Sequence, residues 1–188
     1  MESYIYQLNA HIKSKRLASI GVRYATLFDL LLAARLLRSG TFEGDIADQF
    51  TRGRGGLFKL FKHLAKLFYM QCVGRMGKTE CLVVVTSGTR DVGLMQLECS
   101  GNRVGAQNYV IKMVAMLNAC SRRRYPILVL NAMIDLLSEG STLQAQCNPQ
   151  SNALMHLLRE LTFVTDGVRP KGMTLFTYQK VAVSHRAF

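Results

Sequence analysis

The sequence predicts a single α+β domain in which several helices pack on a small antiparallel sheet. The chain has 188 residues, nearly half of them apolar, and only three prolines. This length and composition suit one compact domain with a buried core. Some segments repeat apolar residues at the helical period, whereas 80–99 and 161–183 carry β-branched runs around turn residues. We therefore expect residues 1–188 to form one basic domain, with a mobile loop near 41–56.

Helical patterns account for much of the chain. In Thr26–Gly40, Thr26 can cap the helix, and Asp29 places a negative charge near its positive end. The final Ser-Gly pair is a typical helix end. The other helices are predicted over Leu57–Phe68, Gln107–Ser121 and Ile127–Glu139, with one more beginning at Ser151.

Strand patterns are clearest after residue 79. Glu80–Cys99 predicts a hairpin, and Leu161–Val183 predicts a strand, a basic turn and a strand. Near the start, Ser3–Lys13 alternates apolar and polar residues, which favours a strand. A helix with Tyr4, Leu8 and Ile12 on one stripe is the alternative. Leu143–Gln150 is predicted to be a polar loop.

The charge of the chain suggests an anionic partner. Its net charge is +12, with +7 in residues 1–94 and +5 in residues 95–188, and arginine exceeds lysine. Nucleic acid or an anionic membrane surface fits such a balance. Arg122, Arg123 and Arg124 are adjacent and predict a solvent-facing cluster that contacts phosphate or an acidic partner. Compensation of a helix carboxyl end is the alternative.

Leu57–Phe68 is a strongly amphipathic helix. Its apolar residues fill half of a helical wheel, about twice the ~100° that docking on a core requires. Three interpretations remain open: a core helix with a solvent-exposed basic face, a helix lying on a membrane, or a helix whose cations contact nucleic-acid phosphates. The candidate residues are Lys59, Lys62 and Lys66 on the basic side and Phe58, Phe61 and Phe68 on the apolar side. Arg52, Arg54, Arg75 and Lys78 extend the charge as further candidate phosphate contacts.

Signatures of enzymatic chemistry are weak. Gly74–Thr79 resembles the end of a phosphate-binding loop, but Cys72 stands where that motif needs glycine. The four histidines lie at no metal-ligand spacing, and the five cysteines form no CxxC pair. Met1–Ser14 is polar and mixed, unlike a signal peptide, so we expect free thiols in a reducing compartment and no secretion. The sequence thus predicts no enzyme, no cofactor and no metal site.

The order of elements resembles the matrix proteins of rhabdoviruses. The likeness rests on "YIYQLNAHIK", "TLFDLLLAARLL", "GLFKLFKHLAKLF", the hairpin and the final "SNALMHLLRELTFVTDGVRPKGMTLFTYQKVAV". It implies a non-enzymatic structural protein that binds anionic membrane and a viral nucleoprotein or RNA and self-associates into a homo-oligomer. It also implies location in the virion and in the host cytoplasm, nucleus or inner membrane face. The alternative is a viral RNA-binding protein without sequence preference, such as a silencing suppressor or small nucleocapsid protein.

Overall fold

The computed structural model of the chain describes residues 2–15, 20–39, 42–43, 55–74, 79–100, 106–117, 119–147, 152–169 and 173–181. Its α-helices there are α1 (Glu2–Ser14), α2 (Leu30–Ser39), α3 (Gly56–Cys72), α4 (Ala119–Leu136) and α5 (Asn152–Glu160). Its strands there are β1 (Ile20–Tyr24), β2 (Phe42–Glu43), β3 (Glu80–Ser87), β4 (Arg90–Ser100), β5 (Asn108–Met116), β6 (Thr142–Cys147), β7 (Val164–Arg169) and β8 (Met173–Gln179).

The strands form one mostly antiparallel sheet. Seven strands follow the order β1-β3-β4-β5-β6-β8-β7, and the short β2 pairs with β5 beside that path. The pair β5–β6 is parallel, whereas the other pairs are antiparallel. The predicted α+β class is therefore confirmed, with a larger sheet than the sequence indicated.

Helices cover both faces of the sheet. On β3, Leu82 and Val84 face a core shared with α2 and α3, whereas Val83 and Val85 belong to the core shared with α1, α4 and α5. Successive strand side chains point to opposite faces, so a strand covered on both sides carries a continuous apolar run. This explains the "CLVVV" sequence of β3, in which every residue is buried.

The side chain of Gln71 fixes the end of α3 against the sheet. Its Nε2 donates to the carbonyl oxygens of Ala25 at 2.7 Å and Leu82 at 3.0 Å. Its Oε1 accepts from the Leu82 backbone N–H at 2.6 Å. The amide therefore continues the pairing of β3 where β1 has ended, and it holds the layer of α2 and α3 in register with the strands.

The predicted strand over Ser3–Lys13 is wrong, because this segment forms the helix α1. Tyr4, Leu8 and Ile12 are buried on one stripe, which was the alternative interpretation. The helix lies beside the edge strand β1, and Asn9 Oδ1 accepts a hydrogen bond from the Val22 backbone N–H at 3.2 Å. Burial of the helical stripe therefore outweighed the β propensity of Tyr and Ile.

Two further predictions in the second half are corrected. The predicted helix Gln107–Ser121 is mainly the strand β5, because a buried strand reads as an apolar run that periodicity cannot separate from a buried helix. The predicted loop Leu143–Gln150 contains β6, whose Leu143, Ala145 and Cys147 are buried while polar residues alternate with them. The helix predicted at Ile127–Glu139 begins earlier, at Ala119, and ends at Leu136.

The remaining element predictions agree with the structure. Thr26–Gly40 contains a 3-10 turn (Leu27–Asp29) and α2, and the amphipathic helix extends over Gly56–Cys72. The hairpin of β3 and β4, the helix α5 and the strands β7 and β8 are also confirmed. Within the predicted loop 41–56, β2 is a strand, and residues 44–54 lie outside the described part of the chain.

Candidate functional site

The parallel strands β5 and β6 separate at their carboxyl ends. They pair from Asn108 with Thr142 to Ile111 with Ala145, although β5 continues to Met116. At the separation the register of β5 against β4 passes from Ile111 to Met113 and leaves Lys112 unmatched. Such a bulge bends the strand and ends regular pairing. In open α/β sheets, ligands bind in the crevice outside the carboxyl ends of parallel strands, and the β5–β6 pair offers the same local geometry here.

The amino end of α4 lies next to this cleft. The helix begins at Ala119, three residues after β5 ends, and it connects β5 to β6. The first N–H groups of a helix lack partners within the helix and carry a partial positive charge, which favours phosphate.

The three adjacent arginines lie in the first two turns of α4, as Arg122, Arg123 and Arg124. Compensation of a helix carboxyl end is therefore not their role. Cations near an amino end oppose the helix dipole and cost a few tenths of a kcal/mol each, roughly, without an anion nearby. Their backbone placement thus suits an anionic ligand, and their side chains lie outside the described part.

The short strand β2 occupies part of the cleft. Phe42 is opposite Ala115 and Glu43 is opposite Val114, on the edge of β5 that β6 leaves. The chain itself therefore satisfies the backbone of β5 near its carboxyl end. Any ligand that uses this edge shares it with β2 or displaces β2.

A cavity of about 670 Å³ opens at the same end of the sheet. Its lining comes from the 3-10 turn, α2, the start of β4 and the residue after β5, namely Phe28, Asp29, Leu31, Leu32, Arg35, Arg90, Asp91, Val92 and Leu117. The Leu117 N–H donates to the Val92 carbonyl at 2.9 Å and so joins β5 to β4 at the cavity. One residue lies between Leu117 and Ala119, the start of α4, so their Cα atoms are at most ~7 Å apart. The cavity and the cleft are therefore neighbours.

An ion-pair network forms one side of the cavity. Arg23 donates to both carboxylate oxygens of Asp29, at 2.8 and 2.7 Å, and Nη2 also donates to Asp91 Oδ1 at 2.9 Å. The Thr26 backbone N–H donates to Asp29 Oδ2 at 2.7 Å. Burial alone raises the pKa of Asp29, but the hydrogen bonds from Arg23 and Thr26 outweigh it and hold that pKa below its usual range. Asp29 is therefore a charged, fixed part of the wall, whereas Asp91 is more accessible to a ligand.

Part of the cavity lining is apolar and exposed. Phe28 is 89% exposed and Leu31 is 72% exposed, and both line the cavity. Large apolar side chains grouped in this way indicate a binding surface. Arg35 and Arg90 also line the cavity, and neither forms an ion pair with any described residue.

The amphipathic helix presents its cations to solvent and part of its apolar side to the core. Lys59, Lys62 and Lys66 are exposed. Phe58 is exposed, Phe61 is half-buried, and Phe68 is fully buried between α2 and the sheet. Phe68 is therefore a core residue rather than a contact for a membrane. The predicted phosphate contacts Arg52, Arg54, Arg75 and Lys78 lie outside the described residues.

Sequence reasoning missed most of the cavity. Asp29 was noted only as a helix-end charge, whereas the structure makes it the partner of Arg23 from the unpredicted strand β1. Asp91 and Arg90 lie at the turn of the predicted hairpin, which gave no chemical signal. Beside the cleft, only Arg122, Arg123 and Arg124 were candidates in the sequence analysis, through their adjacency and charge, and their contact with phosphate stays a prediction.

Two absences apply to the described part of the chain. No cluster of three or more histidine, cysteine or acidic side chains could hold a metal ion there. Across those same ranges, every helix is too short or too polar to span a bilayer.

Comparison with known proteins relates this fold to acetyltransferases. No family model and no curated protein matches the sequence. Among solved structures, an acetyltransferase from Thermus thermophilus matches with a TM-score of 0.60 at 11% identity, over 85% of this chain and 96% of that chain. Mycobacterium smegmatis RimJ, solved with CoA-disulfide, matches with a TM-score of 0.58 at 10% identity, over 85% of this chain and 81% of that chain. Vibrio cholerae spermidine N-acetyltransferase, solved with CoA and spermine, matches with a TM-score of 0.58 at 14% identity, over 86% of this chain and 96% of that chain.

These likenesses overturn the predicted function. The resemblance to rhabdovirus matrix proteins is wrong, because the fold is that of acetyltransferases. The predictions of a virion protein, of nucleoprotein, RNA and membrane partners, and of an RNA-binding alternative are wrong with it. The prediction that the chain is not an enzyme is also wrong, because the solved structures that share this fold are acetyltransferases. Basic character and element order misled the interpretation, because both occur in unrelated folds.

Proposed function

We propose that the chain is an N-acetyltransferase that binds acetyl-CoA in the cleft between β5 and β6. The observation that carries this proposal is the separation of the two parallel strands beside the arginine-rich amino end of α4. Structures with the same fold were solved with CoA or CoA-disulfide, which supports a coenzyme A ligand here.

The chain's residues fit the phosphate groups of coenzyme A. The N–H groups at the start of α4, which lack partners within the helix, suit an anion, and Arg122, Arg123 and Arg124 add three cations within two turns. Arginine forms paired hydrogen bonds to phosphate. A bound anion also removes the repulsion between these cations and the helix dipole. We therefore assign the phosphate groups of coenzyme A to Arg122, Arg123 and Arg124, three of the phosphate contacts predicted from the sequence.

The space for coenzyme A along β5 depends on β2, which pairs with the same edge. Val114 and Ala115 are paired with β2, whereas the bulge at Lys112 leaves β5 irregular beside the end of the β6 pairing. The proposed cofactor therefore enters this part of the cleft by displacing β2 from the edge of β5. A two-residue strand has few ladder hydrogen bonds to lose, so displacement costs little compared with the burial of a cofactor.

Acetyl-CoA, when bound, supplies a thioester: an amine nitrogen forms the C–N bond of the amide, the C–S bond breaks, and the proton lost by the amine neutralises the departing thiolate to the free thiol. The chain contributes the cavity beside the cleft, which holds the amine. Asp91 lines that cavity, and Arg23 fixes one of its oxygens. We assign Asp91 to bind the amine and orient its nitrogen, because a carboxylate forms a charge-assisted hydrogen bond with an amine.

Release of free thiol from acetyl-CoA tests the proposal. The full chain is incubated with acetyl-CoA and a panel of primary amines that includes amino acids, amino-acid amides and polyamines. We expect amine-dependent thiol release and a product that carries one acetyl group by mass spectrometry. Absence of thiol release with every amine, from a folded chain, contradicts the proposal.

A pair of aspartate variants locates the amine site. Asp91→Asn should lower the transfer rate at least tenfold, since it removes a charged hydrogen-bond acceptor worth about 1.5–3 kcal/mol. Asp166→Asn is the matched control, because Asp166 is exposed on β7 and does not line the cavity. Equal rates for the two variants would remove Asp91 from the site.

A further inference from the structure

We infer that the acceptor is a small zwitterionic amine with a free carboxylate and an apolar side chain, in its simplest form an apolar α-amino acid. This inference rests on the proposed function, because it assigns the acceptor to the cavity beside the cleft. It goes beyond that function in naming the class of molecule.

The charges of the cavity favour a carboxylate. Asp29 and Asp91 share the single cation Arg23, so the three residues together carry one negative charge. Arg35 and Arg90 add two cations that have no ion-pair partner among the described residues. Among the described residues, Arg23 and the charged residues that line the cavity therefore carry an excess of one positive charge. A single ligand carboxylate balances it, and the arginine fork binds carboxylates with paired hydrogen bonds.

The aspartates define where the amine binds. Asp29 is almost fully buried and is committed to Arg23 and Thr26. The Asp91 side chain is 37% exposed and makes one hydrogen bond, to Arg23 through Oδ1. Asp91 thus retains acceptor capacity for an ammonium group. Together with Arg35 and Arg90, it presents both charges that a zwitterion requires.

The apolar wall defines the rest of the molecule. Phe28, Leu31 and Leu32 come from the first turns of the α2 region, and Val92 and Leu117 add further apolar lining. Covering the two exposed members, Phe28 and Leu31, removes apolar surface from water at about 25 cal/mol per Å². A cavity of about 670 Å³ has the size of ordinary small-molecule sites.

The same features disfavour polycations. A polyamine carries several positive charges and no carboxylate, so it leaves Arg35 and Arg90 without an anion. The excess positive charge of the cavity and the net charge of +12 on the chain repel such a ligand. The chain therefore differs in expected acceptor from the spermidine N-acetyltransferase that shares its fold.

Calorimetric titration of the unmodified full chain, without acyl donor, tests the inference. The ligands are L-phenylalanine, L-phenylalaninamide, which keeps the ring and amine but lacks the carboxylate, and spermidine. We expect saturable binding of phenylalanine and at least tenfold weaker binding of the other two. Binding of the amide as tightly as the acid, tighter binding of spermidine, or no saturable binding of phenylalanine overturns the inference.

Arginine variants add a second measurement. The double variant Arg35→Gln/Arg90→Gln should weaken phenylalanine binding at least tenfold, from the loss of charged hydrogen bonds. Arg38→Gln is the control, because Arg38 is exposed on the same helix but does not line the cavity, and its effect should stay below twofold. Equal affinities in the double variant and the wild type overturn the inference. If the inference about the acceptor is overturned but other amines still release thiol from acetyl-CoA, the proposed acetyltransferase function stands. If no amine releases thiol, the proposed function itself fails.

Discussion

Arg23 holds Asp29 through two parallel hydrogen bonds, from Nη1 to Oδ2 at 2.8 Å and from Nη2 to Oδ1 at 2.7 Å. Asp29 is 4% exposed, so the pair fixes the start of the α2 region against the edge of the sheet. The same guanidinium reaches Asp91 at the start of β4. One cation thus joins β1, the turn before α2 and β4 around the cavity.

We expect Asp29→Asn to destabilise the fold at neutral pH. Charged hydrogen bonds are worth about 1.5–3 kcal/mol, and the low end applies here because the Arg23 side chain is 40% exposed and solvent screens it. The folded pKa of Asp29 is lowered, so its contribution exists above the unfolded pKa of about 3.9 and is lost as pH falls through the folded pKa.

Urea unfolding of the wild type and Asp29→Asn between pH 7 and pH 2 measures this effect. The difference in the free energy of unfolding should be largest near neutral pH and shrink below about pH 3.9. The control is Asp166→Asn, on an exposed aspartate of β7. A difference that persists unchanged at pH 2 would show that the carboxylate charge is not what stabilises the turn.

Gly93 permits the close approach of β4 to the end of β5. A methyl group at this position would lie 2.8 Å from the Ala115 carbonyl oxygen and 2.2 Å from the Met116 sulfur. Gly93→Ala should therefore cost about 1–3 kcal/mol of stability through overpacking. Gly21→Ala is the comparison, since its added methyl would meet mainly side-chain oxygens of Thr86 and Asn9, which can move. Thermal melts that rank Gly21→Ala as the more damaging change would contradict this packing.

The two ends of the amphipathic helix should respond differently to truncation. Phe68 is fully buried, so Phe68→Ala should cost about 3–5 kcal/mol and lower the melting temperature strongly. Phe58 is 65% exposed, and Phe58→Ala should change stability by no more than about 0.5 kcal/mol. Equal melting temperatures for the two variants would exclude the placement of Phe68 in the core between α2 and the sheet.

β2 should compete with the cofactor for the edge of β5. Replacing Phe42 and Glu43 together by proline removes both backbone N–H donors from the pairing with Ala115 and Val114. We expect this variant to bind acetyl-CoA more tightly than the wild type, by several-fold, because the edge is already free. Calorimetry measures the two dissociation constants. Weaker binding by the proline variant would mean that β2 supports the ligand instead of competing with it.

Local patterns made about half of the fold predictable. The α3 helix was predicted correctly because its apolar residues repeat at the helical period. The β3–β4 hairpin was predicted correctly because a turn separates two runs of strand-forming residues. β5 was missed because it is covered on both faces near its carboxyl end, so its apolar residues stop alternating there. β6 was missed because a threonine and two glutamines alternate with its buried residues and gave it a polar composition.

The site was less predictable than the fold. The arginine run was visible because its charge density is local. The contact between Arg23 and Asp91 spans 68 positions of chain, so only the sheet order brings the two together. The divergence of β5 and β6 is likewise a property of pairing, which one strand's sequence does not reveal. Without that geometry, the basic surface suggested a macromolecular partner.

Binding of coenzyme A tests the central claim most directly. We expect calorimetry of the full chain to give a saturable isotherm that weakens with added salt, since the contacts are ionic. Replacing Arg122, Arg123 and Arg124 together by glutamine should weaken binding at least tenfold. The control replaces the exposed Lys59, Lys62 and Lys66 by glutamine, which removes the same charge from a helix outside the cleft, and should weaken binding less than threefold. Absence of coenzyme A binding, or equal losses in the two variants, would contradict a cofactor site at the amino end of α4.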